Sequence, residues 1–156
     1  MDISSLNPVF VHRMRIPFAD TDLAGIVHFS NFFRYMENAE HAFFRSLGFS
    51  VHPGGSAATD LENYPGFGWP RVSATCDYRK PLRFEESVDV EIRVEDRGAK
   101  TVRYEFRFLT EEHSCAVAIG HLTVICVRFD KETKRMRATN IPEAIREKID
   151  SAVAAV

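Results

Sequence analysis

Between Asn31 and Leu47 the apolar residues Phe32, Met36, Ala39, Phe43 and Leu47 recur at steps of three or four positions, with polar residues between them. That spacing puts one apolar stripe on a helix of 3.6-residue period, and Gly48 just beyond it is the usual left-handed stop. Ser30 or Asn31 is the expected cap. The downstream text follows a different period. Arg71–Tyr78, Ser87–Asp96 and Lys100–Thr110 alternate apolar and polar, the second with Val88, Val90, Ile92 and Val94 on one face, the third with Val102, Tyr104, Phe106 and Phe108. These are strands, and the short link Asp96–Ala99 between the last two predicts a hairpin.

The remaining stretches complete the pattern. Val9–Phe18 alternates with a slip of phase between Val9/Val11 and Met14/Ile16, predicting a strand with a bulge, and Pro17 marks an edge position or a strand end. Ala116–Phe129 is apolar on both faces, the pattern of a central strand covered from both sides. Ile141–Val153 reads as an amphipathic C-terminal helix with Pro142 in its first turn. Gly48–Pro70 contains five glycines and three prolines and carries Phe49, Tyr64, Phe67 and Trp69. It is a loop whose aromatic side chains serve either as core or as pocket wall. Met1–Pro8 is expected to be a loose tail, and no internal repeat or low-complexity segment follows it. One long apolar helix followed by four strands gives an α+β domain over 1–156, and the helix covers only one face of a five-stranded sheet. The opposite face is therefore expected to meet another copy, making the protein a homo-oligomer.

Composition narrows the class without naming a chemistry. The chain of 156 residues is 45% hydrophobic and 27% charged, with 20 basic against 22 acidic residues and a net charge of −2. No overall field favours nucleic acid or a membrane surface, and no apolar run approaches a membrane span. Cys76, Cys115 and Cys126 are odd in number and lack CxxC spacing, as expected for reduced thiols of a cytoplasmic protein, and the first residues carry no secretory signal. There is no HExxH, clustered His/Cys ligand spacing, EF-hand loop, G-x-S-x-G, GxGxxG or P-loop, so neither a metal site nor a bound cofactor is expected.

The residues that remain are a carboxylate and a turn beside a helix start. Asp20-Thr21-Asp22 and Gly25 precede the long helix, and Gly25 permits a tight turn. Unpaired N–H groups near such a start stabilise the oxyanion formed when a thioester or ester carbonyl is attacked, and a carboxylate beside them attacks or activates water. Acyl transfer is the reaction class that uses this pair, although Asp-x-Asp before a helix is more commonly turn and cap chemistry.

The run Phe18–Phe33, FADTDLAGIVHFSNFF, resembles the signature of the hotdog-fold acyl-CoA thioesterases, most of all the 4-hydroxybenzoyl-CoA thioesterase-like group. The order of elements agrees over about Val9–Pro142. The resemblance implies a hotdog fold, a long central helix wrapped by a five-stranded antiparallel sheet with a short C-terminal helix, assembled as a dimer or a dimer of dimers. It implies hydrolysis of an acyl-CoA to acid and free CoA, with CoA as part of the substrate and no cofactor. Asp22 takes the place of the catalytic carboxylate and Phe29 that of the residue whose N–H polarises the thioester carbonyl. Gly25 forms the turn, and His28 either meets substrate or caps and packs. Lys100 and Arg137 match the basic residues that hold CoA phosphates from a neighbouring subunit, the alternative being solvated surface charges. Position 98 is Gly where close relatives carry a basic residue, with Arg97 as the candidate replacement. Some hotdog thioesterases carry their carboxylate on the helix, which makes Glu40 the rival of Asp22. The acyl group is left open between aryl and medium-chain, and two other readings remain: a non-catalytic acyl-CoA or small-acid binding module, and a thioesterase acting on an acyl carrier protein.

Overall fold

The computed structural model describes residues 7–49, 51, 67–130 and 132–156. Strand β1 (Phe10–Arg15) leads through a 3₁₀ turn at Phe18–Asp20 to helix α1 (Asn31–Ser46). There follow β2 (Phe67–Gly68), β3 (Arg71–Tyr78), β4 (Ser87–Arg97), β5 (Thr101–Leu109), β6 (Ala118–Ile125), β7 (Val127–Asp130), β8 (Arg135–Ala138) and α2 (Glu143–Ala154). Five strands form one antiparallel sheet in the order β1-β4-β5-β6-β3, and β2-β7-β8 form a small second sheet. Most of the loop expected over Gly48–Pro70, and most of the tail expected over Met1–Pro8, lie outside the described residues.

The stripe on α1 packs as its spacing requires. Phe32, Met36, Ala39 and Phe43 are buried against Val88, Val90 and Ile92 of β4, Tyr104, Phe106 and Phe108 of β5, and Leu122 and Val124 of β6. Helix and sheet are in tight contact at Gly120, where an added Cβ would run into the Met36 sulfur and lie 3.2 Å from the Thr75 carbonyl oxygen. Gly48 ends the helix with φ +89°, the left-handed conformation that glycine adopts without strain. Ser30 has helical dihedrals and makes no capping bond, so the expected Ser30 or Asn31 cap is replaced by other contacts described below.

Four details differ from the sequence reading. Strand β1 pairs with β4 in continuous register from Phe10 to Arg15, without a bulge, turning Phe10, His12 and Met14 toward the helix side. The irregularities sit instead at Val94/Asp96 and Arg71/Ser73. The apolar run 116–129 divides at Cys126, whose N–H bonds the Lys100 carbonyl while Val127 changes partner to Ala138. The basic run that follows supplies β8. Finally, the sheet face away from α1 is no apolar surplus seeking a cover: Glu91, Arg93, Glu95, Arg103, Glu105, Arg107 and His121 pair with one another there. Among the described residues no helix is long and apolar enough to cross a membrane.

Glu40 is the polar exception on the buried stripe. It is 0% exposed, its Oε2 lies 2.5 Å from Arg71 Nη2, and neither its Oε1 nor the buried Tyr104 hydroxyl has a partner among the described residues. Burial pushes the carboxyl from 4.5 up to about 7, the Arg71 guanidinium opposing and Glu37 adding to the rise. A folded-state pKa above the unfolded one contributes stability that is complete below about pH 4.5 and lost as pH rises through about 7. The span corresponds to about 3 kcal/mol. Measured against Glu40→Gln, which cannot ionise, the wild type is expected to lose stability by up to that amount between about pH 5 and about pH 8 in denaturant titrations. A difference that stays flat across the window would mean Glu40 is charged throughout. At the helix–sheet contact, Gly120→Ala is expected to cost about 1–3 kcal/mol by overpacking, read as a lower urea midpoint with unchanged slope.

Candidate active site

Residues 20–31 build the site from a chain reversal. Gly25 N–H bonds the Asp22 carbonyl and Asp22 N–H bonds the Ile26 carbonyl, both at 2.9 Å, and Gly25 closes the turn with φ +77°. A side chain at that dihedral would be strained. The turn displays Leu23 at its tip and returns the chain to β-like pairing, where Val27 N–H bonds the Leu82 carbonyl at 2.8 Å. Asp22 Oδ1 accepts the Ala24 N–H at 2.8 Å, an Asx-type contact that orients the carboxylate and leaves Oδ2 without a bond among the described residues.

Asp20, two residues earlier, holds the turn to the helix. Its carbonyl accepts His28 N–H and Asn31 Nδ2, both at 2.9 Å, and its Oδ2 accepts the Tyr35 hydroxyl at 2.8 Å. His28 Nδ1 lies 2.7 Å from Ser30 Oγ and 3.3 Å from the Ser30 N–H, while its ring stands 4.6 Å from that of Phe29. The His28 carbonyl accepts Asn31 N–H at 2.9 Å. In a trans peptide the N–H and C=O point opposite ways. The Phe29 N–H is thereby turned away from the helix, and it donates no bond among the described residues.

Asp22 and Phe29 face one cleft of about 520 Å³. Its walls are Ile26, Val27 and Phe32 from the turn and helix side, and Tyr78, Pro81 and Leu82 from the end of β3, with Arg79 and Lys80 adding positive charge. His28 and Gly25 shape this region but do not line the cleft. Tyr78, Arg79 and Lys80 do line it, and the sequence reading passed over them. Tyr78 ends an ordinary-looking alternating strand about fifty residues away, and nothing in the local pattern signals its role.

The other candidates lie elsewhere. Glu40 sits about 14 Å along α1 from its first residue and does not border the cleft. Lys100, at the β4–β5 hairpin, is separated from Phe108 at the cleft end by about 26 Å of strand. Arg137 lies on β8, whose following residues pack back to the same hairpin: Thr139 N–H bonds the Cys126 carbonyl and Ile141 N–H the Ala99 carbonyl. Arg97 is committed to Asp150 of α2 through Nε and through Nη2 at 2.8 Å, so it is no ready substitute for a basic residue at 98. Trp69 is buried edge-on against Phe44 at 5.4 Å and Phe67 packs on the core, so neither walls the cleft. Glu95, Glu105 and His121 bring ligand atoms within 4.8 Å of one another on the outer sheet face, but arginines already occupy both carboxylates, Arg103 at Glu95 and Arg107 at Glu105, each at 2.7 Å.

Compared with known proteins, the chain matches the thioesterase-like superfamily over residues 16–149. It is 34% identical over 138 residues to a provisionally named esterase of Aquifex aeolicus, covering 88% of this chain and 95% of that one. It is 28% identical over 116 residues to a 1,4-dihydroxy-2-naphthoyl-CoA hydrolase of Prochlorococcus marinus, covering 72% of this chain and 75% of that one. Among solved structures, a gentisyl-coenzyme A thioesterase superposes with a TM-score of 0.71 at 28% identity, covering 88% of this chain and 99% of that one.

Proposed function

The chain belongs to the thioesterase-like superfamily of hotdog-fold thioester hydrolases, and from its cleft we propose that it hydrolyses an aryl-type acyl-CoA to the free acid and CoA, with Asp22 as the catalytic carboxylate. The observation that carries this reading is the meeting of Asp22 and Phe29 on one largely apolar cleft. The thioester carbonyl oxygen takes the free Phe29 N–H as its donor, an interaction that strengthens as the oxyanion develops and is worth about 3–4 kcal/mol. Asp22 attacks the carbonyl carbon directly, or removes a proton from the water that does. In either route the C–S bond breaks and CoA leaves as a thiolate that takes up a proton. Water activation puts the water oxygen directly into the acid, whereas direct attack forms a mixed anhydride that water then opens at the Asp22 carbonyl, leaving a former Asp22 oxygen in the acid. Because Oδ1 is held by Ala24 N–H, Oδ2 is the oxygen left to act.

An aryl group is favoured over a medium-chain one because the rings of Phe29, Phe32 and Tyr78 border the cleft, and because relatives carry the names of naphthoyl- and gentisyl-CoA hydrolases. Lys100 and Arg137 serve the CoA phosphates in this reading only from a second copy, since their own cleft lies at the far end of the strands. The outer edge of β3, the last strand of the sheet order and without a strand partner among the described residues, supports such an assembly.

Asp22→Asn is expected to lower turnover on an aryl-CoA by about 10²-fold or more, with the melting transition preserved, as followed by thiol release from a panel of acyl-CoAs. Near-normal turnover in the variant would remove Asp22 from the reaction. Saturable binding by the wild type without thiol release would identify a binding module instead, and oxygen-18 labelling in a single turnover separates direct attack from water activation.

A further inference from the structure

The Phe29 amide acts only if its peptide is held still, and the turn side supplies half of that hold. Asp20 takes the His28 N–H, and Asn31 N–H takes the His28 carbonyl. The next peptide plane, carrying the Phe29 carbonyl, is reached from across the cleft: the Tyr78 hydroxyl donates to that oxygen at 2.9 Å. We propose that Tyr78 is a positioning residue for thioester hydrolysis, tying the backbone of Phe29 to the edge strand so that the Phe29 amide stays aimed at the substrate carbonyl. This inference rests on the thioesterase reading and names a residue that works through Phe29.

Three observations support a dedicated tie. Tyr78 is the last residue of β3, where pairing with Ala118 of β6 fixes its backbone. Its ring packs edge-to-face on Phe32 with centroids 5.1 Å apart, so ring and hydroxyl together bridge from the β3 side to the turn-and-helix wall. Phe29 itself is 62% exposed and gains little restraint from packing. With no core around it, the bonds at the two flanking carbonyls decide the direction of its N–H. Burial and the neighbouring Cys76 hold the Tyr78 hydroxyl above the ordinary tyrosine value, so it stays a donor throughout the working pH range.

The test is Tyr78→Phe, which keeps the ring against Phe32 and deletes only the donor. The expected result is a fall in kcat of about 10- to 100-fold, the scale on which small misplacements act, with KM for the same aryl-CoA changed less than about threefold and melting within a few degrees of the wild type. A kcat within about twofold of the wild type overturns the proposal. Asp22→Asn measured alongside separates the two claims: an active Asp22→Asn sinks the thioesterase assignment of that carboxylate, whereas a dead Asp22→Asn beside a normal Tyr78→Phe sinks only the positioning role. A second readout is independent of turnover. In nitrogen relaxation spectra the Phe29 amide of Tyr78→Phe is expected to broaden and to lose order, and an unchanged Phe29 order parameter overturns the proposal even if no acyl-CoA is cleaved.

Discussion

Three donors converging on Asp20 make the rest of the site possible. A carbonyl that would otherwise face solvent accepts both the His28 amide and the Asn31 side chain, while the carboxylate receives the Tyr35 hydroxyl one turn further along α1. These bonds lock a loop to the start of a helix whose other end is buried against the sheet. They also replace the side-chain cap that Ser30 does not provide. Once Asp20 is fixed, the positions of Asp22, two residues on, and of Phe29, just after the turn, follow from a reversal of only a few residues closed by Gly25. A rigid scaffold element thereby carries the cleft-facing carboxylate on a short tether, which is how precise geometry is kept on a loop.

Three of the carboxylates on or just before α1, Asp20, Asp22 and Glu40, differ in their surroundings, and these divide the labour among the three. Asp20 is spent on structure. Glu40 lies in the core with one arginine, in surroundings that favour its neutral form. It does not border the cleft that Asp22 faces. Asp22 alone is exposed, oriented by one backbone bond, and open to a cleft. The resemblance made Glu40 the rival, because some hotdog thioesterases carry the carboxylate on the helix, and its burial beside Arg71 became visible only once the sheet was in place.

What was legible follows the same division. The helix and the main strands were readable because each buries one periodic face, and Gly48 ends the helix as its position foretold. Residues whose role depends on neighbours distant in sequence were not readable. Cys126 interrupts an apolar run without any polar signal, because the break is a change of partner and both partners are apolar surroundings. The outward-facing residues of β4, β5 and β6 read as plain alternation, yet Glu105, 6% exposed, and Arg93, 7% exposed, are nearly as covered as the core. They cover each other with their long side chains, so the sheet needs no second apolar layer there and the expectation of a partner copy loses that argument. Of the residues at the cleft, Asp22 was singled out with Gly25 by the turn before the helix and Phe29 through the resemblance, whereas Tyr78, Arg79 and Lys80 were passed over because a cleft has two walls and the motif describes one.

That second wall changes how the site is to be understood. It ends β3, the last strand of the sheet, whose outer side has no strand partner among the described residues. A residue in such a place feels whatever pairs with the strand, so the bond from Tyr78 to Phe29 joins the amide proposed to receive the substrate carbonyl to an edge of the sheet. Deep strands would hold the tyrosine more rigidly but would keep it from the cleft mouth. The edge gives reach at the cost of support, and the Phe32 ring, the ladder to β6 and the hydroxyl bond together restore the support. The orientation of one amide thus depends on a loop clasped by Asp20 from one side and on a strand end braced by α1 from the other, and neither wall fixes it alone.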